Sequence, residues 1–165
     1  MKVIVNSTPL IVLAEIDKLN LFKDIYGSIS VAQAVYDEVV NKGQGRQDAW
    51  KIKKCRWINV NNVNDDNYVN FIMDEFKLDL GEAETISLAR KEYANLVFID
   101  EKKGRKVAEL FKIEVRGTVG LIIHAKKLGL VKNVTAILNS LRGVDFRLSD
   151  TIYQRVKHLE NNGEL

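Results

Sequence analysis

At 165 residues the chain is one domain by length, large enough to bury roughly 70% of the surface its unfolded form exposes. Its 46% apolar and 28% charged residues are those of an ordinary globular protein, and a net charge of +3 does not by itself announce a nucleic-acid partner. A single cysteine, Cys55, excludes an internal disulfide and a thiolate cluster, and no run of about 18 apolar residues exists to cross a membrane, so the expected location is the cytoplasm.

The first element is a short buried strand, Lys2-Val3-Ile4-Val5, that stops at Asn6. Ser7 or Thr8 is placed to cap the helix that follows, with Pro9 at its first position, where a missing N–H costs nothing. A second amphipathic segment runs from Leu19 to Ile25 and breaks at Gly27. Ser28 to Val31 reads as a strand, Ala32 to Val40 as a helix, Asn41 to Gly45 as a turn and Arg46 to Lys54 as a helix. Trp57 to Val60 is a short edge strand, followed by an Asn/Asp-rich loop. Asp65 or Asp66 caps a helix to Lys77, and Gly81 to Tyr93 forms the next one. Leu96-Val97-Phe98-Ile99 is a strand ending at Asp100, Glu101 to Phe111 a helix, and Ile113 to Val115 a strand ending near Thr118. Three helices close the chain: Thr118 to Leu128, Lys132 to Leu141, and one capped by Ser149 and running to Leu159. Residues 1–160 form the expected domain and 161–165 a disordered tail.

Short β-branched runs alternating with helices predict an α/β sandwich with a parallel sheet. Ligands of such sheets bind beyond the carboxyl ends of the strands, which is where Asn6, Asp100 and Thr118 fall.

Two helices carry carboxylates where apolar side chains are expected. Val31, Val35, Glu38 and Val39 follow one core-facing stripe; Glu82, Ile86, Ala89 and Tyr93 follow another, with Glu84 at its edge. One such Glu alone reads best as a boundary ion pair, to Arg90 or Lys91. Two acidic helices and a strand-end Asp read better as a cation site, because clustered carboxylates repel unless something neutralises them. With no His or Cys at ligand spacing, the oxygen donors select a hard ion, Mg²⁺ or Mn²⁺. Such an ion suits phosphodiester hydrolysis.

Two basic clusters are present. Lys51, Lys53, Lys54 and Arg56 read as a solvated helix face, whereas Lys102, Lys103 and Arg105 follow Asp100 directly and are placed to contact phosphates. Phosphate-binding glycine loops and a nucleophile elbow are absent.

Four segments, Val5-Asn6-Ser7-Thr8-Pro9-Leu10-Ile11, Val35-Tyr36-Asp37-Glu38-Val39, Gly81-Glu82-Ala83-Glu84 and Val97-Phe98-Ile99-Asp100, resemble in order the acidic motifs of PIN domains. The nearest resemblance is to a prokaryotic PIN-like subfamily with an asparagine-threonine-serine-proline-leucine motif near its start. Arg116-Gly117-Thr118-Val119-Gly120-Leu121 and Phe146-Arg147-Leu148-Ser149-Asp150 are similar to its later signatures, so the resemblance covers nearly the whole chain. It implies a three-layer α/β/α fold around a mainly parallel sheet. It also implies a Mg²⁺- or Mn²⁺-dependent endoribonuclease acting on single-stranded or structured RNA, often a VapBC-type toxin with a cognate antitoxin, and commonly a homodimer.

Position by position, the resemblance assigns Asn6, Glu38, Glu84 and Asp100 to the four catalytic acid positions. Glu38, Glu84 and Asp100 become metal ligands, Glu82 shares the third role, and Thr118 occupies a further polar position. Asn6 departs from the acidic pattern because it is neutral. The alternative reading is therefore a catalytically weak PIN-like module that binds RNA or a protein.

Overall fold

The computed structural model describes residues 1–165 and contains one sheet of five strands, all parallel. The strands are β1 (Val3–Val5), β2 (Ile29–Ala32), β3 (Ile58–Asn61), β4 (Leu96–Phe98) and β5 (Val115–Arg116), in spatial order β3-β2-β1-β4-β5. The chain therefore builds outward from β1 in one direction and returns to build outward on its other side. The reversal falls between β1 and β4, which is where open α/β sheets form their ligand crevice. Register fixes the neighbours: Val5 lies opposite Phe98, and the Asn6 N–H donates to the Phe98 carbonyl at 3.0 Å.

Ten helices cover the sheet. Those that shape the site are α1 (Ser7–Glu15), α3 (Gln33–Tyr36), α6 (Leu80–Lys91), α7 (Lys102–Leu110) and α8 (Thr118–Lys127). α6 lies across β2, β1 and β4 and packs against α3, α5 (Asp66–Phe76) and α7. On the opposite face α2 (Asn20–Tyr26) meets α8, which leads to α9 (Val134–Arg142) and α10 (Asp150–Asn161); α4 (Gln47–Lys53) packs on α1. Phe98 sits edge-on to Phe22 of α2, with ring centroids 5.1 Å apart. Leu96 to Ile99 are fully buried, the signature of a central parallel strand covered on both sides. The layers are those of the expected α/β/α sandwich.

Three local expectations change. Asn6, not Ser7 or Thr8, occupies the N-cap of α1, and neither Ser7 nor Thr8 caps it; Pro9 thus falls at the third helical position, whose N–H is still free of an intrahelical partner. The helix expected to run from Ala32 to Val40 stays α-helical only to Tyr36. It continues as a π-helical turn, Asp37–Asn41, closed by the Lys42 N–H on the Asp37 carbonyl at 2.8 Å. Finally, α10 runs to Asn161, the Glu164 N–H donates to the Leu159 carbonyl at 2.9 Å, and Leu165 packs against the core.

Candidate active site

The carboxyl ends of β1 and β4 deliver Asn6 and the pair Asp100-Glu101 side by side. Asn6 is buried, and its amide is used in both senses. Its Nδ2 donates to Glu101 Oε2 at 3.5 Å, and its Oδ1 lies 3.3 Å from the Thr85 hydroxyl of α6. Ser7 and Thr8 turn their hydroxyls to acids instead of to the helix end. Ser7 Oγ donates to Glu38 Oε2 at 2.9 Å, and Thr8 Oγ1 donates to Glu101 Oε1. The first turn of α1 therefore ties together a carboxylate from each side of the crevice.

Glu38 is not in the core. It is exposed, on the π-helical turn, while Val35 and Val39 of the same stripe are buried. A π turn carries more residues per turn than an α-helix, and the carboxylate is aimed along the surface toward Ser7 and the start of α6. A Cβ placed on Gly81 would sit 3.4 Å from Glu38 Oε2.

Glu82 and Glu84 point to opposite sides of α6. Glu82 is buried in the first turn of α6, forming a capping box with Asp79: the Glu82 N–H donates to Asp79 Oδ1 at 2.8 Å and the Asp79 N–H to Glu82 Oε2 at 3.2 Å. Its other oxygen faces α7, where a Cβ on Gly104 would approach it to 2.9 Å. Burial, with Asp79 and Glu101 adding negative charge, holds the Glu82 carboxyl above its ordinary range. Glu84, two residues on, points to the other side of α6 and accepts the Ala34 N–H at 2.8 Å, so it caps α3. The helix rotates about 100° per residue, and residues two apart cannot share a face.

Asp100 is engaged by the start of α8. Both of its oxygens accept from Thr118, one from the backbone N–H at 2.8 Å and one from the hydroxyl at 2.5 Å. It thereby holds the N-terminus of α8. Burial is the main cause that pushes its carboxyl up to about 6, with Glu101 adding to the rise and Thr118 and Arg105 opposing it. Thr118 is fully buried and serves as Asp100's anchor. Glu101, adjacent in sequence, is the acid that reaches Asn6. Sequence reading missed it because nothing in composition or spacing separates two consecutive acids at a strand end.

Asn6 thus bonds Glu101 directly, Glu38 is held by the neighbouring Ser7, and Glu82 on α6 lies near enough to Glu101 for their charges to repel. The donor set is all oxygen: His124 stacks on Tyr26, and Cys55 lies beside the edge strand β3. That chemistry fits Mg²⁺ or Mn²⁺. No three acidic side chains converge on one point, so a cation here would be held by one or two carboxylates and by water, as Mg²⁺ usually is.

Lys102, Lys103 and Arg105 occupy the first turns of α7 beside these acids, and all three line one cleft with Asp100 and Glu101. Lys103 Nζ donates to the Lys77 carbonyl at 3.1 Å, and a Cβ on Gly117 would lie 3.2 Å from the Arg105 guanidinium and 2.8 Å from Asp100 Oδ1. Cations at a helix N-terminus oppose the helix dipole, which argues for a purpose other than stability. Trp50, Tyr36 and Trp57 lie away from this cleft: Trp50 is exposed under the Lys54 ammonium, and the other two pack against the core. No helix is long and apolar enough to cross a membrane.

Comparison with known proteins agrees with this architecture. The VapC20 toxin of Mycobacterium tuberculosis, described as cleaving the sarcin-ricin loop, superposes with a TM-score of 0.51 at 13% sequence identity, over 64% of this chain and 95% of that one. No curated protein matches the sequence. A PIN-domain family profile matches residues 2–162, almost the whole chain. With the five parallel strands and the acids gathered beyond β1 and β4, the assignment is direct: this chain belongs to the PIN-domain family.

Proposed function

We propose that the protein is a Mg²⁺- or Mn²⁺-dependent endoribonuclease, with Glu38, Glu82 and Glu101 as the acids of its site and Asn6 orienting a ligand or water among them. The observation that carries this reading is the Glu101 carboxylate on the buried Asn6 amide at the sheet's reversal point, with Glu38 on the adjoining Ser7, Glu82 at the start of α6 and three cations beside them. Glu82 is already held partly against its charge, and a divalent ion bound there supplies the missing positive charge and an activated water. Thr8 and Ser7 fix the orientation of Glu101 and Glu38. Asp100, held by Thr118, sets the start of α8 and the position of its neighbour Glu101, and Lys102, Lys103 and Arg105 contact the flanking phosphates. Purified protein incubated with single-stranded RNA should cleave it with Mn²⁺ and not with EDTA, and Glu101→Gln should abolish cleavage. Metal-independent cleavage, or full activity in Glu101→Gln, would refute the reading.

A toxin role with a cognate antitoxin, a cytoplasmic location and a homodimer belong to the same proposal, supported by family membership. The second reading, a catalytically weak RNA- or protein-binding module, is favoured by one specific observation. Asn6 brings no charge, and its amide is already engaged by Glu101 and Thr85.

A further inference from the structure

Two motifs singled out in the sequence supply none of the acids Glu38, Glu82 and Glu101: the segment from Arg116 to Leu121 and the segment from Phe146 to Asp150. The fold brings both to the walls of a single cleft of about 860 Å³, whose remaining wall is the basic start of α7 and whose end is Asp100 and Glu101. That volume is within the range of roughly 300–1,000 Å³ typical of sites for small molecules. Five cationic side chains line it against three carboxylates, and Phe146, Leu148 and Ile152 give it an apolar floor.

The wall formed by 146–149 is irregular chain between α9 and α10, and it is braced. Asp145 before it adopts φ 61°, a left-handed conformation rare outside glycine, and the Phe146 N–H donates to the Leu141 carbonyl at 3.3 Å. Arg142 bonds Asp150 at 2.6 Å across the segment and lies 3.9 Å over the Tyr153 ring, whose hydroxyl donates to Asn139 at 2.8 Å. Such bracing keeps a half-exposed aromatic and a basic side chain in place without a ligand. Arg147 takes part in no ion pair.

We propose that this cleft is the subsite for an unpaired nucleotide flanking the scissile phosphate, with the base against Phe146 and Leu148 and the backbone along Arg147 and the α7 cations. An apolar floor with an aromatic ring, rimmed by cations, is the chemistry that recognises single-stranded nucleic acid, whose bases are free to stack while its phosphates are neutralised. A duplex hides its bases and would leave the floor unused. The inference rests on the nuclease reading only for the word scissile; the binding stands alone.

The test is fluorescence anisotropy in EDTA with a labelled eight-nucleotide single-stranded RNA and with its duplex. The wild type should prefer the single strand. Phe146→Leu, which keeps an apolar side chain but removes the ring, should weaken binding roughly tenfold with an unchanged salt slope, and Phe146→Tyr should restore it. Arg147→Ala should lower the salt slope by about 0.7. Equal affinity in wild type and Phe146→Leu, preference for duplex, or no RNA binding at all (the result expected if a protein segment fills the cleft) would overturn the subsite. The two readings fail separately. Binding as expected by a protein that does not cleave with Mn²⁺ removes the nuclease and keeps the subsite, whereas cleavage with affinity indifferent to Phe146→Leu does the reverse.

Discussion

Asp100→Asn, followed as a function of pH, tests the electrostatics of the strand end quantitatively. The Asp100 carboxyl titrates near 3.8 when unfolded and at about 6 in the folded protein, chiefly because it is buried. Between those values the folded state holds more protons than the unfolded one, so the wild type loses stability as pH rises through this window and levels off above it. At 1.36 kcal/mol per pH unit the loss is about 3 kcal/mol. Glu82 shifts in the same direction and Glu160 in the opposite one, so the quantity to measure is the difference between mutant and wild type. The amide cannot ionise, yet its oxygen can still accept the Thr118 N–H. Near pH 4 the two proteins should be almost equally stable; at pH 7 the mutant should be the more stable by about 3 kcal/mol, or roughly 6–12 °C in Tm for a chain of this size. Urea unfolding at several pH values, in EDTA to exclude divalent ions, reads this directly. A difference that is flat with pH, or that turns against the mutant as pH rises, would refute the argument, because it would make Asp100 an ordinary charged helix cap.

Other outcomes follow from the opposite directions of Glu82 and Glu84 on α6 and from the charges near Asn6. Glu82→Gln should lose Mn²⁺-induced thermal stabilisation, whereas Glu84→Gln should keep it; Glu84→Ala should cost roughly 0.5–2 kcal/mol in denaturant melts through the lost cap on α3, with the metal response intact. Asn6→Asp should tighten Mn²⁺ binding in calorimetry while lowering metal-free stability, since its Glu101 partner at 3.5 Å would then face a like charge. Replacing Lys102, Lys103 and Arg105 together by Ala should flatten the salt dependence of single-stranded RNA binding by about 2. Metal binding should persist.

The frame of this site was legible in the chain because it depends on local signals. Runs such as Leu96 to Ile99, apolar and β-branched with an abrupt polar stop, mark a buried strand and the residue just beyond it, and the order of such runs fixes which ends can meet. The layers and the parallel sheet followed from that alone. Direction within the site was not legible. Glu82 and Glu84 lie on one helix with equal claims, and the choice between them depends on what α6 packs against, Gly104 of α7 on one side and the start of α3 on the other. Asp100 and Glu101 are divided in the same way: the free N-terminus of α8 captures the first and leaves the second for Asn6. The exit of Glu38 from the core stripe required the π turn at Asp37–Asn41, for which the hydrophobic period gives no sign. In each case a tertiary partner, far off in sequence, decided where a side chain of evident chemistry would point.

The tie between Thr8 and Glu101 spans 93 residues, and that between Asn6 and Glu101 spans 95. At a synthesis rate of roughly 5–20 residues per second, a growing chain carries Asn6 for roughly 5–20 s before Glu101 exists. β1 can meanwhile pair only with β2, and α1 has no partner for Thr8. A polypeptide interrupted before β4 therefore holds the amide and at most Glu38 and Glu82, with no Glu101 to meet it. The Thr8 hydroxyl has no carboxylate to reach, and no crevice forms between β1 and β4. The site therefore cannot assemble until the sheet has been built on both sides of its first strand, which makes the arrival of β4 the first control on it.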